Sequence, residues 1–154
     1  MSTPIKIAIT IVFCLAVGGI SGALTADAIQ NWYLTLHKPS WNPPNGVFAP
    51  VWTTLYLMMG VSLGTIWSKN HPKINSAIGL FMVQITLNFF WSLVFFRWQS
   101  PQWAFVEIIL MWIAIFLTIR SFYQINKMAG YLLIPYILWV SFAAFLNYTI
   151  WQLN

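Results

Sequence analysis

Residues Ile74–Phe96 read INSAIGLFMVQITLNFFWSLVFF, an unbroken apolar run with no charged side chain. Crossing the hydrocarbon core of a bilayer takes about 20 such residues in a helix. Four further windows meet the same criterion: Ile5–Leu24, Val47–Trp67, Trp103–Ile119 and Tyr131–Trp151. Backbone polar groups in lipid must be satisfied within the segment, so each window is expected to be a helix. The fold class is therefore all-α, an integral membrane bundle of five transmembrane helices in a single domain, residues 1–154.

Composition agrees. Charged residues are 6% of the chain and hydrophobic ones 60%, against about 25% charged in a soluble domain. The formal charge of +5 comes from Lys and Arg residues scattered singly between apolar runs. Such isolated charges mark topology and give no nucleic-acid footprint. Lys6, Lys69, Lys73, Arg120 and Lys127 fall on one side, Lys38 and Arg97 on the other. The positive-inside rule then puts the N-terminus in the cytoplasm and Asn154 outside, with a bacterial plasma membrane as the expected location.

The first window also fits a secretory signal with a cleavage site near Ala26-Asp27-Ala28. Its length and its Gly18-x-x-x-Gly22 spacing favour a retained helix. Gly60-x-x-x-Gly64 repeats that spacing in the second window. Both motifs suit close helix packing within the bundle, with a dimer interface as the alternative.

Short links join the later spans, while the first and second are separated by a connection from about Thr25 to Gly46. Its centre, Trp32 to Pro44, carries three prolines and several aromatic residues. Such a segment is either a structured lid on the bundle or an anchor among lipid headgroups. His37 in it is a further candidate for touching a ligand.

Depth along the helices sorts the remaining candidates. At 1.5 Å per residue, Trp52 and Trp91 lie roughly 8 Å below the lid side and Asn88 about 12 Å. Gln84 and Ser92 share that stripe, and Trp139, Ala143 and Asn147 follow at four-residue steps on the last span. Polar groups at such depths face a partner or a cavity. The amides of Gln84, Asn88 and Asn147 read either as struts between helices or as ligand contacts. Trp52 and Trp139 suit a flat aromatic ligand. Glu107, the one acid inside a span, is a ligand or proton site or a hydrogen-bonded strut.

Other chemistry is largely excluded. Asp27 and Glu107 are the only acids, Cys14 is the only cysteine, and His37 and His71 fall on opposite sides. No metal site, serine elbow or phosphate loop is present, and no cofactor is expected.

Several ordered motifs resemble the translocator protein family, also called tryptophan-rich sensory proteins or peripheral-type benzodiazepine receptors. They are Trp32-Tyr33 with Lys38-Pro39-Ser40-Trp41-x-Pro43-Pro44, and Val51-Trp52-x-x-Leu55-Tyr56-x-x-Met59-Gly60. Gln84-x-x-x-Asn88-x-x-Trp91 with Phe95-Phe96 follows, then Pro135-Tyr136-x-x-Trp139-x-x-Phe142-Ala143 and Leu146-Asn147-Tyr148. The resemblance implies a five-helix bundle whose pocket is closed by the first loop. It implies binding of porphyrins such as protoporphyrin IX, of isoquinoline carboxamide and benzodiazepine-type ligands, and of sterols in some members. Dimers are common in that family.

The residues the resemblance carries over as ligand-binding are Tyr33, Trp52, Asn88, Trp91, Trp103, Trp139, Ala143 and Asn147. Trp52 and Trp139 are the catalytic candidates if bound porphyrin is broken down oxidatively; transport of porphyrin or sterol is the alternative. No Lys or Arg follows Tyr148. That departure from the eukaryotic pattern removes the basic end of a proposed cholesterol motif.

Overall fold

The computed structural model describes the whole chain, Met1–Asn154, and contains helices and no strands. Seven α-helices occur: α1 (Thr3–Gln30), α2 (Trp32–Thr35), α3 (Asn45–Trp67), α4 (Ile74–Ser92), α5 (Pro101–Ile125), α6 (Lys127–Tyr131) and α7 (Ile134–Leu153). A π-helical turn, Leu93–Arg97, prolongs α4. Five segments are long and apolar enough to cross a membrane: α1, α3, α4 with its π turn, α5, and α6 with α7.

The helices outrun the apolar windows at several ends. α1 continues to Gln30, so the connection begins at Asn31 and not near Thr25. Hydrogen bonds from Thr25 Oγ1 to the Ser21 carbonyl (2.9 Å) and from the Asn31 amide to Asp27 (3.0 Å) carry it those extra turns. α5 runs from Pro101 to Ile125, starting where Ser100 Oγ accepts from the Trp103 amide and Pro101 needs no amide partner.

The bundle is apolar outside as well as inside. Val12, Leu110, Leu138 and Phe145 are among many large apolar side chains left exposed around it, as a lipid-facing surface requires. Its buried centre includes Phe81 of α4 stacked on Phe122 of α5, ring centroids 5.9 Å apart. α1 packs along α3, α4 along α5, and α5 along α7.

The α1–α3 contact is made by backbone. A Cβ placed on Gly60 would stand 2.5 Å from Ile11 Cα, and one on Gly64 2.5 Å from Ile7 Cα. Thr10 Oγ1 donates to the Gly60 carbonyl at 2.6 Å across the same contact. Small residues thus let two helices approach where hydrophobic burial supplies no force. Gly60-x-x-x-Gly64 is used inside the bundle, as the packing reading expects.

Gly60→Ala should therefore destabilise the protein by about 1–3 kcal/mol through overpacking. Gly79, on α4, has nothing within 4 Å of its would-be Cβ, and Gly79→Ala should be neutral or stabilising by about 1 kcal/mol. Thermal unfolding in detergent measures both; equal midpoints for the two variants would contradict the packing account.

Candidate functional site

Between the lid-side halves of α1, α3, the α4 end and α7 lies a cavity of about 420 Å³. That volume falls within the range of roughly 300–1,000 Å³ typical of small-molecule sites. Phe48, Trp52 and Tyr56 of α3 line it, with Trp91 of α4, Phe95 and Phe96 of the π turn, and Trp139, Phe142 and Ala143 of α7. Gly18, Gly19 and Gly22 form the α1 wall.

The floor is a chain of hydrogen bonds between helices. Tyr56 Oη donates to Asn88 Oδ1 (2.5 Å), Asn88 Nδ2 to Tyr136 Oη (2.8 Å), and Tyr136 Oη to Gln84 Oε1 (2.7 Å). Asn88, Gln84 and Tyr136 are each buried to within 3% of complete. Within this chain of bonds only Tyr56 lines the cavity; Asn88 lies beneath it, its amide bonded to both tyrosines. This is the strut reading of the two α4 amides.

The walls are pinned in the same way. Trp91 Nε1 donates to Asn147 Oδ1 (3.0 Å), and Asn147 Nδ2 to the Pro101 carbonyl (2.8 Å). Asn147 touches the cavity, and its Oδ1 orients Trp91. The π turn closes with Trp98 N–H to the Leu93 carbonyl at 2.8 Å. Its wider winding, often found at functional sites, turns both Phe95 and Phe96 into the cavity.

Trp139 differs from these. Its Nε1 is buried and has no hydrogen-bond partner, while its ring meets Phe48 at 6.0 Å and Phe142 at 5.4 Å. A buried donor left unpaired costs about 1–3 kcal/mol. An acceptor on a bound molecule would recover it.

The connection Asn31–Pro44 covers the cavity. Tyr33 is 4% exposed, lines the cavity, and sets its ring against Phe96 and Phe95. Its hydroxyl donates to Asn42 Oδ1 at 3.1 Å. Lys38 folds back, its ammonium 2.8 Å from the Tyr33 carbonyl and 4.7 Å from the ring centre. Trp41 stacks on Phe145 at 5.2 Å. At the margin His37 N–H donates to Asn154 Oδ1 (3.0 Å) and Asn154 Nδ2 to the His37 carbonyl (2.9 Å).

Of the eight residues expected at a ligand, Tyr33, Trp52, Trp91, Trp139, Ala143 and Asn147 meet around this cavity. Asn88 sits below it, and Trp103 sits outside. Trp103 is 66% exposed in the first turn of α5, whose buried line runs Ala104, Ile108, Met111 and Ile115. One residue off that line is a rotation of about 100°, which turns the indole toward the bundle exterior. Glu107 is also away from the cavity wall, with both carboxylate oxygens buried and unpartnered. The residues that sequence reasoning passed over are Phe48, Phe142, Leu146 and the α1 glycines. Their signal was the three- and four-residue spacing of Trp139, Phe142, Ala143 and Leu146, and of Phe48 with Trp52.

A family model described as the TspO/MBR family matches residues 10–152. The chain belongs to this family. It is 47% identical to the tryptophan-rich protein TspO of Chlorobaculum tepidum, over 97% of this chain and 96% of that one. The corresponding protein of Archaeoglobus fulgidus is 39% identical over 97% of each chain. The human translocator protein is 38% identical over 80% of this chain and 75% of its own. Family membership agrees with the five membrane-spanning helices.

Burial pushes the Tyr33 phenol above its ordinary value of 10.0, and the bond to Asn42 offsets part of that rise. An acid whose folded-state pKa is raised stabilises the fold fully below its unfolded pKa and ceases to do so as pH climbs through the folded one. A spin label on Ser40→Cys, on the exposed side of the lid, should thus stay immobile up to about pH 10 and loosen above it. In a Tyr33→Phe background that transition should vanish; a transition of unchanged size there would assign it to another group.

Proposed function

We propose that this protein binds a flat, largely apolar tetrapyrrole of the protoporphyrin IX type in the cavity beneath the lid. The observation that carries the reading is the set of nine aromatic side chains, Trp139 among them, in the wall of a cavity of about 420 Å³. Aromatic faces suit a planar ring system. Isoquinoline carboxamides and benzodiazepines, flat and carrying amide carbonyls, fit the same description. The lid side is read as the outer face on the distribution of Lys and Arg.

A second activity follows from the ligand's own chemistry. An illuminated porphyrin passes its energy to dioxygen, and dioxygen then serves as the oxidant of the macrocycle. Trp52 and Trp139 are among the oxidisable side chains on the cavity wall. Transport is the weaker reading: below the cavity lie the buried Tyr56–Asn88–Tyr136–Gln84 chain and the Phe81–Phe122 stack.

Absorbance spectra of protoporphyrin IX with purified protein separate these. Wild type should give a bound spectrum in the dark and bleach to a defined product in light. Trp52→Phe with Trp139→Phe should bind about tenfold more weakly, the loss of about 1.4 kcal/mol, and show no protein-dependent bleaching. Absence of a bound spectrum with wild type would refute the binding reading. Equal bleaching by both proteins would refute the role of the two indoles.

A further inference from the structure

The register of α1 against α3 continues past their close contact into the cavity wall. Ile7 lies at Gly64 and Ile11 at Gly60, so the same antiparallel register sets Gly18 opposite Thr53, Gly19 opposite Trp52 and Gly22 opposite Ala49. In the half away from the lid the two backbones touch. In the lid half a Cβ built on Gly19 or Gly22 meets nothing within 4 Å.

Gly19, Gly22, Ala49 and Thr53 all line the cavity, and all four are exposed on the bundle exterior. Pro50, inside α3 at this level, removes the intrahelical bond to the Gly46 carbonyl, a loss that favours bending of a helix. Thr53 Oγ1 donates to its own helix at the Ala49 carbonyl, 2.7 Å, so the rim carries no free hydroxyl donor. The lid end, by contrast, is tied down by the Tyr33–Asn42 bond, the Trp41–Phe145 stack and the reciprocal His37–Asn154 pair.

We infer that the cavity exchanges its occupant sideways with the bilayer, through a slot between α1 and α3 rimmed by Gly19, Gly22, Ala49 and Thr53, while the lid stays shut. This rests on the reading of the cavity as a ligand site. The slot selects flat lipophiles already dissolved in the membrane leaflet on the lid side and disfavours molecules confined to water. Acyl chains of that leaflet can enter it when it is vacant.

The test uses the full-length protein in lipid nanodiscs. Gly19→Leu with Gly22→Leu fills the slot from positions where an added Cβ meets no neighbour within 4 Å, and a thermal midpoint equal to wild type checks that the variant is folded. Stopped-flow mixing with protoporphyrin IX should show association and dissociation both slowed by about tenfold or more, slowed dissociation being what a pocket merely narrowed by the leucines would not produce. Asn154→Ala, which frees the lid margin, should leave both rates at the wild-type value. Wild-type rates in the slot variant, or faster exchange in Asn154→Ala, would overturn the inference.

A ligand-free arm keeps the slot separate from the binding reading. With lipids brominated along their acyl chains, part of the tryptophan emission should be quenched in wild type and recovered in the slot variant. Trp52→Phe should lack the same component. If protoporphyrin IX fails to bind but this component appears, the slot stands and the ligand assignment falls; if the component is absent, the slot is refuted.

Discussion

The hydrogen-bonded chain Tyr56–Asn88–Tyr136–Gln84 is the interaction on which the site depends. It joins α3, α4 and α7 at one level of the bundle, where each broken link would leave a buried polar group costing about 1–3 kcal/mol. Above that level the helices surround a cavity; below it they close on an apolar centre. A chain of this kind holds one geometry because a small shift breaks several bonds together.

Two different forces then shape what lies above the floor. α1 is held to α3 by backbone contact at Gly60 and Gly64 and by Thr10, and the same register leaves the lid-side glycines without a neighbour. The lid is held by aromatic packing and by short polar ties at Tyr33, Lys38 and Asn154. The first contact is rigid, since it is backbone against backbone. The second is made of side chains on a proline-rich connection and spans the rest of the opening.

Much of this was legible beforehand. Apolar windows located five spans, since a helix must satisfy its own backbone in lipid, and four-residue steps placed Trp139, Ala143 and Asn147 on one stripe. What misled was treating depth as if it gave direction. Trp103 has the right height and the wrong azimuth, and Asn88 has the right azimuth but lies under Tyr56. Gly18-x-x-x-Gly22 looked equivalent to Gly60-x-x-x-Gly64; Gly18 receives the Tyr56 ring, while Gly22 faces open space.

The sequence by itself determined the membrane class, the number of spans, the aromatic character of the lid side and the family, because these rest on composition, period and ordered motifs. The tertiary structure decided which amides are struts, which indole keeps a free donor, that the π turn sends both Phe95 and Phe96 inward, and where α1 and α3 part. Those outcomes depend on which side chains from distant segments claim each other's hydrogen bonds and volume, and no local pattern encodes that choice.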